Sequence, residues 1–276
     1  ANLPPKALAR LGLEEEAFRE RYPQVVLATQ TGFGLRGPDK DKGGFDGVGQ
    51  ALSGAMYLSG VPGAPMKAAA PYVDFSTAVL SALGVLAALM ARDKTGRGQH
   101  VDTALLGTAL SVMGAYLVEE AVGETGRVGT GNRVQTSAPS DVFATKDGNV
   151  LTHVVGDGLF ARWARLIGEP DLADRPDYRG DQSRGDARDA LCAKMADWCA
   201  ERTTEEAVAA LEDAGVPCGP VLSPADALSN PQVEAMGFLK PMTFPGLPRP
   251  APVPNLPIRF SDLEAGLAAS PPAVGA

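Results

Sequence analysis

The apolar positions of this chain change spacing partway along it. Lys6–Leu11 and Glu14–Arg21 read as two short helices, with Pro23 as the stop. The apolar run Gln24–Thr29 reads as a buried strand, and residues 30–46, rich in Gly, Pro and charge, as a loop. Val48–Leu58 is a helix of small residues. Ser76–Met90 is the longest apolar run, Ala, Val, Leu and Gly broken only by Ser and Thr, and Arg92–Gly98 ends it. This run predicts a buried core helix, too short for a comfortable membrane span. A short strand, Gln99–Thr103, and an apolar helix, Ala104–Val122, follow. Strands alternating with helices predict an α/β layer over residues 1–138.

Near residue 139 the pattern shifts. Val142–Ala144 and Val150–Val155 flank Thr145–Asn149 as in a β-hairpin. Helices are expected over Gly158–Ile167, closed by Gly168, and over Ala187–Ala200. Thr203-Thr204-Glu205-Glu206 is a capping box opening a helix that ends at Gly215. Residues 139–235 therefore read as a smaller α+β unit. Prolines gather from Pro241 onward, so 236–263 is expected to be an extended return to the large domain. Residues 264–276 are expected to be a disordered tail. Ala1–Pro5 has no basic start leading into an apolar stretch, so it does not read as a signal peptide.

The net charge of −8 argues against a general nucleic-acid or membrane-surface binder, both of which need a basic face. Local basic clusters remain, at Arg36, Lys40 and Lys42 and at Arg92, Lys94 and Arg97, so a small anionic ligand stays open. The three cysteines, Cys192, Cys199 and Cys218, include no CxxC pair, which favours a reduced, cytoplasmic setting over a disulfide framework. Cys192 and Cys199 lie two helical turns apart and are expected to share a buried face. The two histidines, His100 and His153, have no ligand-spaced partner, so no structural metal site is expected.

Candidate chemistry centres on Asp74, at the mouth of the long apolar helix. A carboxylate there meets unpaired backbone N–H groups and can stay ionised away from bulk water, as a carboxylate nucleophile must. The plain alternative is a helix cap, with Ser76 and Thr77 sharing the work. Gly32-Phe33-Gly34-Leu35-Arg36-Gly37 matches a dinucleotide fingerprint by pattern, but Pro38–Gly44 is loop text where a helix should open. His100 and Asp102 share one strand face and read as a structural pair. His153 reads as a half-buried strand histidine. In Gly156-Asp157-Gly158, Asp157 reads as an N-cap between glycines that allow a hinge.

Several separated motifs resemble the family III CoA-transferases, which include formyl-CoA and carnitine CoA-transferase types and related α-methylacyl-CoA racemases. They are Gly44-Phe45-Asp46 with Gln50–Gly54, Val73-Asp74-Phe75, Gly84–Leu89, Lys94–Asp102, Gly131–Arg133 with Ala138-Pro139, and Ala214–Val221. The resemblance runs from Asn2 to about Ser261. It implies a Rossmann-like large domain, incomplete at its N-terminus, a smaller α+β domain, and an interlocked homodimer. It also implies that Asp74 is the nucleophile, moving CoA from an acyl-CoA to a free carboxylic acid through mixed-anhydride and aspartyl-CoA intermediates. Coenzyme A and acyl-CoA are then substrates, with no permanently bound cofactor.

By the same resemblance Asn2 and Arg10 contact CoA, Lys42 is a looser candidate, Phe45 lies near the CoA, and Gly156-Asp157-Gly158 is the glycine-bearing loop beside the site. The racemases carry a His where Phe45 stands, and Phe45 cannot shuttle a proton, which places racemisation second. A third reading is an inactive dimerisation module. Family members carry a nucleotide-binding half ahead of the text at Asn2, so the segment here is expected to bind CoA poorly by itself.

Overall fold

The computed structural model describes residues 1–263 together with Ala265 and Gly266; apart from these two, the expected disordered tail, residues 264–276, lies outside the described residues. The chain divides into two units. The first comprises Ala1–Asp141 with Asp177–Arg188, and the second Val142–Pro176 with the chain from Asp189 on. Residues 236–263 group with the second unit.

The first unit opens with helices α1 (Pro5–Arg10) and α2 (Glu15–Arg21), which bury Leu8 and Phe18. Strand β1 (Leu27–Thr31) pairs in parallel with β2 (His100–Ala104), Leu27 opposite His100 and Thr31 opposite Ala104. Between them lie α3 (Asp46–Leu52), α4 (Ala55–Ser59) and the long α5 (Tyr72–Thr95). The single helix expected over Val48–Leu58 is broken, because Gly54 adopts a left-handed φ of 86° between α3 and α4. The expected Ala104–Val122 helix is likewise two helices, α6 (Leu105–Val112) and α7 (Gly114–Gly123), bent by 68°.

Helix α5 is the central element. It runs 24 residues and ends at Gly96, whose φ of 69° lets its N–H donate to the Arg92 carbonyl at 2.7 Å. Its inner face is Val73, Thr77, Ser81 and Ala88, all buried. Gly84 lies on the same side, so close to Val101 that an added Cβ would stand 2.7 Å from its Cγ1. This stripe of small residues lets the helix sit tightly against β1, β2, α3 and α6.

The expectation of a wholly buried helix is corrected. Phe75, Val79, Leu83, Leu86 and Met90 line the opposite side and are exposed, Phe75 at 69% and Met90 at 70%. By length and composition α5 would also reach across a bilayer, contrary to the sequence estimate, since its helical ends extend beyond the apolar run. The expectation rested on the lack of any polar outer stripe. The described elements of the unit pack one side only.

The second unit contains a three-stranded sheet in the order β3 (Ser140–Ala144), β4 (Asn149–His153), β5 (Cys218–Pro220), with β5 antiparallel to β4. Helices α8 (Asp157–Leu166), α10 (Arg188–Ala200) and α11 (Thr204–Asp213) bury Phe160, Trp163, Leu191, Met195 and Leu211; α9 (Asp181–Asp186) belongs to the first unit. The capping box opens α11 as read: the Glu206 N–H donates to Thr203 Oγ1 at 3.2 Å, and the Thr203 N–H to Glu206 Oε2 at 2.8 Å. Short helices α12 (Pro224–Leu228) and α13 (Pro231–Ala235) precede the proline-rich stretch. That stretch forms an antiparallel pair, β6 (Leu239–Met242) and β7 (Ala251–Pro254), in place of a lone extended arm. Cys192 and Cys199 are buried on α10, and all three cysteines are free thiols. Burial, the largest influence on it, pushes the Cys199 thiol up to about 11.

Candidate active site

A cleft of about 510 Å³ lies at the C-terminal ends of β1 and β2, where open parallel sheets hold ligands. Gln30, Thr31 and Gly32 continue β1 into it, Leu105 continues β2, and Asn2, Lys42, Phe45 and Asp74 enter from other segments. Four of the residues named from the sequence therefore meet in one place. Asn2 is placed there because the Gln30 N–H donates to the Ala1 carbonyl at 2.9 Å, laying the first residues beside β1. Phe45 is 79% exposed and lines the cleft. Lys42 is exposed and pairs with Asp39 at 2.6 Å within its own loop, a contact screened by solvent.

Arg10 and Gly156–Gly158 are not among the residues that line the cleft. Arg10 is exposed in the last turn of α1. Gly156, Asp157 and Gly158 belong to the second unit, where they open α8. The N-cap there is Gly156, with a φ of 83°; Asp157 is the first helical residue and not the cap, because the left-handed turn needs the residue without a side chain.

The cleft depends on two glycines the sequence reading did not connect. A Cβ on Gly44 would stand 2.6 Å from the Gly32 Cα, and one on Gly32 2.7 Å from the Gly44 Cα. This backbone contact seats the Gly43-Gly44-Phe45 segment against the end of β1. The Gly32–Gly37 loop opens no helix, in keeping with its rejection as a dinucleotide fingerprint. It is tethered instead by Asp102, whose Oδ2 accepts from the Leu35 N–H at 3.3 Å. The Asp102 Oδ1 accepts from the Thr29 hydroxyl at 2.9 Å, and that hydroxyl lies 2.8 Å from His100 Nε2. The structural reading of His100 and Asp102 stands, with Thr29 as a bridge that sequence spacing could not show.

Asp74 sits in the first turn of α5, one turn before the buried Thr77, and is itself exposed. It is not the helix cap. Asp46, buried at the start of α3, reaches the N-terminal end of α5 and accepts from the Val73 N–H at 2.7 Å and the Asp74 N–H at 3.4 Å. Among the described residues the Asp74 carboxylate has no hydrogen-bond or ion-pair partner. The sequence reading missed Asp46 and Gln50 as site residues; their spacing of one turn on a helix of small residues was the available signal. Burial, and after it the Asp46 charge, hold the Tyr72 hydroxyl above its ordinary range, so this neighbour stays a neutral phenol. Among the described residues no cluster of His, Cys, Asp or Glu stands ready to hold a metal ion.

The sequence profile of CoA-transferase family III matches residues 1–276. The chain is 29% identical to the succinate–glutarate CoA-transferase of Agrobacterium fabrum, over 94% of its own length and 66% of the relative's. It is 32% identical to the succinyl-CoA–D-citramalate CoA-transferase of Chloroflexus aurantiacus, over 83% of its length and 58% of the relative's. The crystal structure of a CAIB/BAIF family protein from Brucella suis superposes with a TM-score of 0.81 at 29% identity, covering 98% of this chain and 70% of that one. The chain thus spans less than two thirds of the length of these curated relatives, and within that span it carries the mixed α/β fold of the CAIB/BAIF proteins. A profile match over its whole length establishes that the chain belongs to CoA-transferase family III.

Proposed function

We propose that this protein transfers CoA from an acyl-CoA thioester to a free carboxylic acid, with Asp74 as the covalent carrier. The observation that carries the reading is an exposed carboxylate, without a partner among the described residues, in a cleft at the strand ends, freed from capping duty by Asp46. The Asp74 carboxylate attacks the thioester carbonyl and CoA leaves as thiolate, giving a mixed anhydride. The thiolate then attacks the aspartyl carbonyl, releasing the donor acid and forming aspartyl-CoA. The acceptor carboxylate attacks that thioester, expelling the thiolate and forming a second anhydride. The thiolate attacks the acceptor's acyl carbonyl, which yields the new acyl-CoA and frees Asp74. The anhydrides survive only where water is kept out.

Asn2, Lys42 and Phe45 are the residues of this unit we assign to CoA. Arg10 and Gly156–Gly158 keep that assignment by resemblance alone. Phe45, in the place where racemase relatives carry a His, removes the proton shuttle and disfavours epimerisation. The two named relatives act on dicarboxylates, so a short dicarboxylic acid is the acceptor class to test first. Incubation with acyl-CoA followed by hydroxylamine should leave a hydroxamate on Asp74, located by mass spectrometry; no adduct at that residue overturns the reading.

The Gly32–Gly44 contact sets a second expectation. Gly44→Ala forces backbone apart beside the cleft and should lower kcat/KM by about 10²-fold, as a displacement near 1 Å at a reacting centre does. Unaltered kinetics would refute the contact's role.

We further assign the protein to the family's interlocked homodimer and Rossmann-like architecture, in a cytoplasmic setting that its free thiols favour. The exposed apolar face of α5 supports assembly, because patches of this kind on soluble proteins mark partners. Sedimentation should report a dimer; a monomer would overturn the assignment.

A further inference from the structure

We propose that Asp46 is the positioning residue of the reaction: it occupies the N-terminus of α5 so that Asp74, two residues inside the same helix, keeps its carboxylate for chemistry. This inference rests on the CoA-transfer reading above, which supplies the reason for a free Asp74.

A helix start leaves its first N–H groups without intrahelical partners, and at α5 each is accounted for. The N-cap is Pro71, which has no N–H. The Tyr72 N–H donates to the Ala70 carbonyl at 2.9 Å. The Val73 and Asp74 N–H groups both go to Asp46 Oδ1. Two consequences follow for Asp74, which stands at the third helical position. An acidic side chain there ordinarily turns back to the N-cap N–H to complete a capping box, and Pro71 removes that donor. The remaining amides it could accept from are already taken. Asp74 therefore has no local bond to make and projects into the cleft.

Asp46 is itself held. Its Oδ2 accepts from Gln50 Nε2, and Gln50 Oε1 accepts from the Ala68 N–H at 3.0 Å. Both side chains are buried, Asp46 at 6% exposure and Gln50 at 1%. The chain of bonds from the loop before α5, through Gln50 and Asp46, to the backbone of Asp74 fixes the nucleophile from below. It also places a negative charge at the positive end of the helix, so the dipole is answered by Asp46, and Asp74 is spared an interaction that would stabilise its ground state without helping the transition state.

The test uses Asp46→Ala, Asp46→Asn and the exchange pair Asp46→Asn with Gln50→Glu in the full protein. In the pair, the amide oxygen introduced at position 46 can still accept from the helix amides, and its NH2 donates to the carboxylate introduced at position 50. That carboxylate still accepts from the Ala68 N–H. In Asp46→Asn alone, two amide NH2 groups face each other. Two readouts are taken: modification of Asp74 by a water-soluble carbodiimide with an amine, located by mass spectrometry, and the kcat and KM of CoA transfer.

Asp46→Ala should slow labelling of Asp74, as its carboxylate turns onto the vacated amides, and lower kcat by about 10²-fold with KM near wild type. Asp46→Asn should show the same direction, and the exchange pair should restore both. Wild-type labelling in a folded Asp46→Ala protein overturns the inference whatever the transfer assay gives. Slowed labelling in the variants together with a wild-type protein that moves no CoA overturns the functional reading and upholds the capping assignment. Should Asp46→Ala not fold, equal labelling of Asp46→Asn and wild type overturns the inference in its place.

Discussion

Replacing Asp74 with Asn is expected to cut CoA transfer by roughly 10⁴- to 10⁶-fold, the scale of losing a covalent nucleophile. The amide keeps the shape of the side chain but cannot form an anhydride, and KM should change little because the residue's task is covalent. Stability is the control that separates the two original readings of this position. Were Asp74 the cap of α5, Asp74→Ala would cost about 0.5–2 kcal/mol. Since Asp46 accepts from both amides, Asp74→Ala should stay within about 0.5 kcal/mol of wild type. A folded protein with intact melting and no transfer is the expected result. Full-speed thioester exchange in Asp74→Asn would remove the covalent mechanism.

The largest effect on stability should come from Trp163→Ala. Trp163 is fully buried on α8, its ring centroid 5.3 Å from that of Phe160 and its Nε1 donating to Met195 Sδ at 3.2 Å. Leu191, Met195, Cys199 and Leu211 are buried in the same unit. Truncation loses the transfer energy of the indole and leaves a cavity the neighbouring helices cannot fill, at a cost of about 3–5 kcal/mol. Denaturant unfolding read by far-ultraviolet circular dichroism measures it. A loss below about 1 kcal/mol would mean that the second unit has no such core.

Much of the architecture was legible in the chain. Periodicity and punctuation located α1, α2, α8 and α11 to within a few residues, because caps such as Thr203 with Glu206 and stops such as Gly168 act over one turn of local backbone. The motifs carrying the family resemblance placed Asp74, Asn2, Phe45 and Lys42, and these share one cleft. The misplaced features were those that depend on distant chain. The exposed side of α5 was invisible because an apolar stripe reads alike whether a neighbour covers it or not. The break at Gly54 was read through because its flanks kept a helical pattern.

What the sequence alone determined was the alternation of strands and helices, the lack of a histidine at Phe45, and an acidic residue at the start of an apolar helix. Those are properties of residue order and short-range backbone physics. Which acid caps that helix and which is left free was decided only by tertiary structure. Asp46 and Asp74 are both carboxylates near a helix start. Only the folding of α3 against α5 brings the first within 2.7 Å of the Val73 amide, and a hydrogen bond is too short-ranged to be inferred across a loop of unspecified path.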